Sequence, residues 1–410
     1  MLLSAYGARG SVEPMVGLAV RLRELGAEVR VCAPPDEEFA ELFAGVGVPL
    51  VPVGAPVRPL VTTVVPGSAA GLAQRMADLM DAQFTVLAAA AEGCDALVAT
   101  GPLPVTAGAR SVAERLGIRY VHAAHTPVGL PSPHQPPPAR RGRPLPPGVR
   151  DNLELWEVDA RNANEMFGAA LGARRAAAGL PAVDSVRDYA FTGSPWLATD
   201  PVLSPWRPTE LGVVQTGAWL RADERPLPPE LVTFLEAGTA PVYVGFGSTP
   251  LGARAKGMAR AAVEAVRAQG RRVVVSRGWA GLDPVDDRDD CFAVGEVNQQ
   301  ALFRRVAAVV HHGSAGTTTT AARAGAPQVV VAQGADQPYW AGRVTGLGIG
   351  TAPDDGPVPS SASLSAALRA ALAPATVARA TALAGTVRTD GAAVAARLLL
   401  DSVGANPTCP

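Results

Sequence analysis

The residues best suited to chemistry form one polar run, His311–Thr320, with the sequence HHGSAGTTTT. This run directly follows the predicted strand Ala307–Val310 and opens a predicted helix. Glycines allow a tight turn, and the free backbone N–H groups at the start of a helix attract anions. Ser314, the threonines and an imidazole add further donors. The run therefore predicts a pyrophosphate site. An ordinary helix N-cap, with two histidines that serve only packing, is the alternative.

A second polar pair, Asp336 and Gln337, comes shortly after the predicted strand Gln328–Val331. Ligands of open parallel sheets bind at the carboxyl ends of the strands. A carboxylate beside an amide suits adjacent sugar hydroxyls, because each hydroxyl both donates and accepts hydrogen bonds. The pair therefore predicts a sugar site. An Asx turn that leads into a helix at Pro338 is the alternative.

The glycine patterns argue against two common nucleotide chemistries. No lysine follows the glycines of the HHGSAG run, so it is not a Walker motif, and Mg²⁺-dependent phosphoryl transfer loses its main support. The segment Gly245–Ser248 is too short for the dinucleotide fingerprint, and no such fingerprint follows the first strand. A dehydrogenase is therefore not indicated.

Composition narrows the class of protein further. The chain has 36 basic and 37 acidic side chains, and a nucleic-acid binder would normally show a basic surplus. The beginning lacks the basic segment of a signal peptide, and no apolar run reaches the ~20 residues of a spanning helix. We expect a cytoplasmic protein with no membrane span and no nucleic-acid partner. The cysteines are far apart, which argues against a zinc site or a disulfide framework and fits a reducing compartment: Cys32, Cys94, Cys291 and Cys409.

Short apolar strands alternate with amphipathic helices in two series, separated by a proline-rich join near residues 200–230. This alternation predicts parallel α/β sheets with helices on both faces, and 410 residues are enough for two cores. The two series predict two domains that face each other. The predicted strands of the first series are Leu2–Ala5, Val29–Ala33, Pro49–Val53, Ala96–Thr100 and Ile118–Ala123. Those of the second include Val242–Gly245, Arg272–Ser276, Ala307–Val310 and Gln328–Val331.

The segment Pro131–Pro147 differs from both series. It holds eight prolines together with Arg140, Arg141 and Arg143. Proline at this density excludes helix and central strand, so the segment is predicted to be a loop. It is either a solvated excursion or a loop that binds an acceptor, because long loops in compact domains often carry function.

The run from His311 to Trp340 resembles the donor signature of GT-B glycosyltransferases. More narrowly, the whole chain resembles the actinomycete enzymes that glycosylate vancomycin- and teicoplanin-type glycopeptide antibiotics. The stretches that carry the resemblance cover nearly the full length: Gly7–Pro14, Arg30–Pro35, Asp200–Gly217, Val242–Ser248, Ser276–Leu282, Val294–Phe303 and His311–Val344.

The resemblance implies the GT-B architecture, in which two Rossmann-like parallel-sheet domains face a cleft. It places an acceptor-binding domain at residues 1–205, a linker at 206–240 and a nucleotide-sugar-binding domain at 241–388. The last segment, 389–410, would hold a helix around Gly391–Ser402 that crosses back to the first domain.

The resemblance further implies an inverting transfer from a UDP- or TDP-sugar to a hydroxyl of a glycopeptide aglycone or pseudoaglycone. No metal and no other cofactor would be needed, and a monomer is expected. By position, donor contacts would come from Gly247, Ser248, Trp279, Val297, His312, Gly313, Ser314, Ala315, Gly316, Thr317, Asp336 and Gln337. Four apolar residues are candidates for the acceptor surface, with a role in the core as the alternative: Trp156, Met166, Phe167 and Trp196.

One departure from the family pattern concerns the general base. Such enzymes typically carry an aspartate after the first glycine turn, where this chain has Ser11. A hydroxyl is far too weak a base at neutral pH. A phenolic acceptor would need less help than an aliphatic alcohol, or Glu13, His125 or Asp336 could supply the base. A slow enzyme is the remaining possibility.

Two other functions share these sequence features. A UDP-sugar epimerase of the same architecture would use the pyrophosphate site but would need no acceptor loop. A weakly active or non-catalytic binder of nucleotide sugars would be compatible with Ser11. Formation of a new sugar from UDP-GlcNAc alone would identify the first, and donor binding without transfer would identify the second.

Overall fold

The computed structural model describes residues 1–62, 69–140 and 142–404. Arg141 of the proline-rich segment and Cys409 lie outside the described residues. The same holds for the end of the predicted segment 389–410, beyond residue 404.

The described strands are short, and those nearest the middle of each sheet are buried along their whole length. Continuous apolar strands of this kind are typical of parallel sheets covered by helices on both faces. The strands of the first half are β1 (Leu2–Ala5), β2 (Arg30–Ala33), β3 (Leu50–Pro52), β4 (Ala96–Thr100), β5 (Arg119–Ala124), β6 (Trp196–Leu197) and β7 (Val214–Gln215). Those of the second half are β8 (Val242–Gly245), β9 (Val273–Ser276), β10 (Cys291–Val294), β11 (Ala308–His311), β12 (Gln328–Val330) and β13 (Gly350–Thr351).

Helices connect the strands and cover both faces of each sheet. In the first half they are α1 (Arg9–Glu24), α2 (Glu37–Ala44), α3 (Val57–Thr62), α4 (Ala69–Ala82), α5 (Ala88–Ala91), α6 (Leu103–Leu116), α7 (Asn152–Ala177) and α8 (Val186–Phe191). In the second half they are α9 (Pro229–Glu236), α10 (Ala255–Arg267), α11 (Gln299–Leu302), α12 (Ala315–Arg323), α13 (Gln337–Gly346), α14 (Ser361–Ala371), α15 (Pro374–Ala384) and α16 (Gly391–Gly404). A π-helical stretch, Gln83–Leu87, joins α4 to α5.

Within the described residues the strands form two parallel sheets. The first has the order β3-β2-β1-β4-β5-β6-β7 and the second the order β10-β9-β8-β11-β12-β13. The order reverses between β1 and β4 in one sheet and between β8 and β11 in the other. Loops that leave the carboxyl ends of strands at such a reversal diverge and leave a crevice for ligands. The predicted α/β class with two parallel-sheet halves is confirmed.

The last helix, α16, packs on the first half although it follows the second in sequence. Its residues Ala392, Ala395, Ala396 and Leu399 are buried in the core beneath α1. The buried carboxylate of Asp200 anchors the crossing segment, because its Oδ2 accepts a hydrogen bond from the Arg388 backbone N–H at 2.8 Å. The helix therefore ties the two halves together.

Parts of the chain are more regular than the sequence patterns indicate. The 26-residue helix α7 directly follows the proline-rich segment and was not predicted. The segment 206–240, expected as a linker, contains β7, which pairs with β6, and α9, whose Leu231 and Leu235 are buried in the second core. The join between the halves is therefore shorter than the sequence suggests.

The close approach of α16 to the first half predicts a stability effect at Gly391. A Cβ added there would lie 2.4 Å from the carbonyl carbon of Gly217 and 2.5 Å from the carbonyl oxygen of Ala218. We expect Gly391→Ala to lower the melting temperature by several degrees, since overpacking of this kind costs about 1–3 kcal/mol.

The matched control is Gly404→Ala at the other end of the same helix, where an added Cβ meets no atom within 4 Å. Thermal unfolding of both variants checks the prediction. Equal melting temperatures would show that the contact at Gly391 relaxes without cost.

Candidate functional site

A cleft of about 940 Å³ lies between the carboxyl ends of the two sheets and is lined by both halves of the chain. The first half contributes residues 8–11 at the start of α1, His125 after β5, and Trp219. The second half contributes the loops after β8, β9, β10, β11 and β12. All the donor residues predicted from the sequence line this cleft, except Gly313, which is buried in the turn beneath it.

A buried histidine fixes the turn after β11. The Nδ1 of His311 accepts a hydrogen bond from the Gly313 backbone N–H at 3.1 Å, so the ring proton lies on Nε2, which donates to Gln328 Oε1 at 2.9 Å. Burial lowers the pKa of His311 to about 4, and the neutral form persists at pH 7. Gly313 adopts φ +92°, a conformation that favours glycine. His311 therefore has a structural role.

His312, the next residue, lines the cleft instead. Its side chain is almost fully buried, and its Nδ1 has no hydrogen-bond partner among the residues that the structure describes. Burial, and to a lesser degree the neighbouring His311, lowers the pKa of His312 to about 3. The imidazole is therefore neutral at pH 7 and carries one N–H that can donate to a ligand.

Helix α12 begins directly after this turn and points its amino end at the cleft. Ser314 caps it, with Oγ accepting a hydrogen bond from the Thr317 backbone N–H at 3.3 Å. The cap leaves the backbone N–H groups of Ala315 and Gly316 for a ligand, since the first N–H groups of a helix have no partner within it. This end of the cleft therefore suits an anion.

Glycines let the loops after β8 and β9 approach each other. Gly247 has φ +52°, and an added Cβ there would lie 3.1 Å from Cε1 of His312. Gly278 has φ +47°, and a Cβ there would lie 2.4 Å from the Gly247 carbonyl oxygen. The same carbonyl accepts a hydrogen bond from the Trp279 backbone N–H at 2.9 Å. The glycines thus bring Ser248 and Trp279 to the edge of the histidine turn.

The side chain of Trp279 crosses the cleft. It packs against the first-half core, with its ring centroid 6.4 Å from that of Phe39 and the Arg58 guanidinium carbon 5.9 Å from its centroid. Burial raises the pKa of Glu38, and the hydrogen bond from Trp279 partly offsets that rise. Trp279 was predicted to line the nucleotide base. It lines the cleft, and its ring is also part of the contact between the halves.

Arg9 is the centre of a group of ion pairs that joins the two halves. Its guanidinium pairs with Glu13 and Glu38 of the first half and donates to Glu296, after β10, at 2.8 and 3.2 Å. Arg225 donates to the same Glu296 carboxylate at 3.0 Å. The hydrogen bonds from Arg9 are the main reason why the pKa of Glu296 falls to about 2.

Asp336 and Gln337 begin α13 after a strained turn in which Ala335 has φ +53°. Asp336 Oδ2 accepts a hydrogen bond from Trp340 Nε1 at 2.9 Å, and burial raises the pKa of this carboxyl group. Gln337 Oε1 accepts from the Gln333 backbone N–H at 2.7 Å. The protein therefore orients both side chains and leaves further polar atoms of each for a ligand.

Four residues were predicted as candidates for the general base, and three of them line the cleft from the first half: Ser11, Glu13 and His125. Ser11 lies in the first turn of α1 beside Gly7, and Glu13 is engaged by the Arg9 guanidinium. His125 stands edge-on to the Trp219 ring, with 5.5 Å between centroids. The fourth candidate, Asp336, faces these residues from the second half.

The four acceptor candidates do not line the cleft, and the structure places them in the core of the first half. Trp156 is buried on α7, where its Nε1 donates to the Gln135 carbonyl at 2.9 Å. Met166 and Phe167 pack between α6, α7 and α8, and Trp196 is buried on β6. Three of these side chains face inward from α7, a helix absent from the sequence prediction, and Trp196 faces the core from β6.

The proline-rich segment also lies apart from the cleft lining. Asn152 donates to the Pro133 carbonyl at 2.8 Å, and Arg140 pairs with the nearly buried Asp159 of α7 at 2.7 Å. Arg143 pairs with Glu165 of the same helix. The described part of the segment is therefore a strap across α7, and none of its residues lines the cleft.

Sequence reasoning missed Arg9, Glu296, Arg225 and Trp219, all of which line the cleft. Arg9 stood within a recognised glycine turn, but its partner Glu296 is 287 residues away. No local sequence pattern indicates an ion pair between residues so far apart in the chain. Among the described residues, no group of three or more His, Cys, Asp or Glu side chains is placed to hold a metal, and no helix is long and apolar enough to cross a membrane.

The chain is similar to known proteins over its full length. It is 55% identical to the vancomycin aglycone glucosyltransferase of Amycolatopsis orientalis, over 98% of this chain and 97% of that one. It is 51% identical to the dTDP-epi-vancosaminyltransferase of the same organism, over 100% of this chain and 99% of that one. The C-terminal domain family described as erythromycin biosynthesis protein CIII-like matches residues 286–394.

A solved structure shares the fold at lower identity. The glycosyltransferase VinC, determined in complex with dTDP, superposes with a TM-score of 0.68 at 19% identity over 99% of each chain. At this identity the likeness concerns the fold alone. It confirms the GT-B architecture predicted from the sequence.

The ion pairs around Glu296 predict a pH-dependent stability. We expect Glu296→Gln to destabilise the protein at pH 7 by about 1 kcal/mol or less, since Glu296 and Arg225 are roughly half exposed and Arg9 is about a quarter exposed. The folded pKa of Glu296, about 2, lies below the unfolded value of ~4.3. The contribution is therefore complete above pH ~4.3 and is lost as the pH falls toward 2.

Melting temperatures of the wild type and the variant at pH 7, 5 and 3 check this window. Glu24→Gln, which breaks a surface pair with Arg21 inside α1, is the control and should change little. A wild-type advantage of equal size at pH 7 and pH 3 would contradict the assignment.

Proposed function

This chain belongs to the vancomycin-type glycopeptide glycosyltransferases, and from that premise we propose that it transfers a sugar from a UDP- or TDP-sugar to a hydroxyl of a glycopeptide aglycone or pseudoaglycone, with inversion and without a metal ion. The observation that carries the proposal is the neutral His312 beside the open amino end of α12, at the point where the second sheet reverses its strand order.

The donor pyrophosphate would lie at that point. His312 would donate its N–H, and the backbone N–H groups of Ala315 and Gly316 would contribute the positive end of the helix dipole. Gly247 and Ser248 would reach phosphate or ribose from the loop after β8, because a glycine at 247 leaves room beside the imidazole. Trp279 and Val297 would flank the nucleotide base.

Transfer would proceed by in-line displacement at the anomeric carbon. A bond forms from the acceptor oxygen to that carbon, and the bond to the β-phosphate oxygen breaks with its electron pair. Negative charge then grows on the pyrophosphate. Donors that are already oriented, as His312 and the α12 amino end are, stabilise this charge without reorganisation. Closure of the two halves excludes water that would hydrolyse the donor.

Asp336 and Gln337 would hold the hydroxyls of the sugar. Their orientation by Trp340 and Gln333 supports this role, because a sugar site needs acceptors and donors in fixed directions. The names of two relatives include a glucosyl and an epi-vancosaminyl transfer, so glucose and an aminodeoxysugar are the donor sugars that we propose to test.

We further propose that the protein acts as a monomer in the cytoplasm. The cleft is built by one chain, which supports a monomer as the acting unit. Cys32 and Cys94 are buried free thiols, which supports a reducing compartment. The names of the relatives do not favour the epimerase or the non-catalytic binder.

Mass spectrometry tests the function. The purified protein is incubated with UDP- and TDP-sugars and a panel of glycopeptide aglycones and pseudoaglycones. A product heavier by one hexose or aminodeoxyhexose is expected. Donor binding with no heavier acceptor would contradict the proposal, as would conversion of UDP-GlcNAc to a new sugar without any acceptor.

For His312 we predict a catalytic loss without a loss of folding. His312→Ala should lower kcat by roughly 10²–10³-fold, the usual effect of removing one preorganised donor. The control is His134→Ala, since His134 is exposed and lies outside the cleft lining. Steady-state kinetics with melting temperatures checks both variants. An unchanged kcat for His312→Ala would remove this residue from the donor site.

A further inference from the structure

Transfer to a hydroxyl needs a group that takes the hydroxyl proton, and this inference rests on the proposed function. Ser11 cannot do so at neutral pH. Four of the five carboxylates that line the cleft are held by cations. Arg9 pairs with Glu13, Glu38 and Glu296, and Arg225 pairs with Asp223 and Glu296. The fifth, Asp336, accepts the Trp340 N–H and belongs to the predicted sugar site.

We propose that His125 is the general base that takes the proton from the acceptor hydroxyl in this chain. The residue directly follows β5, lines the cleft and packs edge-on against Trp219. Both ring nitrogens are shielded from water, and neither has a hydrogen-bond partner within the described part of the chain. A neutral imidazole carries one donor and one lone pair, so both remain unsatisfied, a cost that calls for a functional explanation.

The position of His125 along the cleft fits this role. His125 and Asp336, which belongs to the predicted sugar site, line the same cleft from its two halves. Burial raises the pKa of Asp336, and the nearby Thr126, which directly follows His125, opposes part of that rise. Glu38, which also keeps one oxygen without a partner, lies instead beside Trp279 and Arg9. We therefore place the acceptor hydroxyl on the His125 side of the anomeric carbon.

The protonation state of His125 agrees with its placement. Burial lowers its pKa to about 4, so the ring is neutral at pH 7 and keeps one nitrogen lone pair. A base of this strength matches an ordinary aspartate, whose pKa is ~3.9. Among the described residues, one titratable group interacts with His125 directly: His122, whose own pKa is lowered mainly by burial and further by His125.

The proposed step is balanced. The acceptor O–H gives its proton to an imidazole nitrogen of His125 as the oxygen forms its bond to the anomeric carbon. The bond from that carbon to the β-phosphate oxygen breaks, and the nucleoside diphosphate leaves with the electron pair. The imidazolium then returns its proton to water.

His125→Gln tests the step, because glutamine keeps a polar side chain of similar size but accepts no proton. We expect kcat with an aliphatic hydroxyl acceptor to fall by roughly 10²–10³-fold, within the usual contribution of a general base. A phenolic acceptor, which loses its proton more easily, should lose much less. Donor Kd, measured by calorimetry, should stay within about threefold, since the base does not hold the donor. His134→Gln is the matched control.

A rescue experiment distinguishes a general base from a residue that has only a structural role. Ser11→Asp in the His125→Gln background adds a carboxylate at the start of α1. The double variant should have a kcat at least about tenfold higher than that of His125→Gln alone. Ser11→Asn in the same background has nearly the same shape, has no basic group and should restore nothing. The melting temperatures of all variants are measured alongside.

Other results would overturn the assignment. A His125→Gln variant with the kcat of the wild type would contradict it. So would a kcat that falls equally with aliphatic and phenolic acceptors and that neither Ser11→Asp nor Ser11→Asn raises. A Glu38→Gln variant that loses transfer to alcohols while His125→Gln keeps it would move the role to Glu38. A wild type that binds donor but glycosylates no acceptor would overturn the proposed function itself, and the role of His125 with it.

Discussion

The chemistry of the second half depends on one buried hydrogen-bond chain. The Gly313 N–H donates to His311, and the His311 ring donates to Gln328 of the next strand. These two hydrogen bonds need a neutral His311 imidazole with its proton on Nε2, and burial keeps the ring neutral. With the chain in place, the turn after β11 can have only one shape. That shape sets the direction of the His312 ring and of the first N–H groups of α12.

The relative position of the two halves depends on different forces. On one side of the cleft, Trp279 buries its ring against Phe39 while the Arg9 and Arg225 guanidinium groups share Glu296. Behind the cleft, α16 and the bond from Arg388 to Asp200 join the halves permanently. The charged contacts are partly exposed and individually weak, whereas the helix is buried. The contacts at the back of the cleft are therefore stronger than those at its front.

The parts that the sequence predicted well are those with a local signal. The strands Leu2–Ala5, Ala96–Thr100 and Val242–Gly245 were predicted at their observed bounds, because buried strands of a parallel sheet are continuous apolar runs. The HHGSAG run and Asp336 could also be recognised from their residue types and their positions after a strand. The four apolar candidates for acceptor binding pack in or against the core and do not line the cleft, because the sequence alone does not distinguish an apolar side chain in a core from one in a pocket. Contacts such as Arg9 with Glu296 depend on the assembled fold, and no spacing rule reveals them.

Burial has opposite chemical uses on the two sides of the cleft. His312 and His125 both lose their positive charge mainly by desolvation, with a smaller contribution from His311 at His312. At the proposed pyrophosphate site, the neutral His312 ring would offer one N–H, and charge that develops on the leaving group would strengthen that hydrogen bond. At the proposed acceptor site, the neutral His125 ring would offer its lone pair, and the proton it receives would be balanced by the negative charge that leaves with the nucleotide. Two neutral imidazoles in one cleft would thus let the acceptor lose its proton on one side while the leaving group keeps the electron pair on the other, without a carboxylate at position 11.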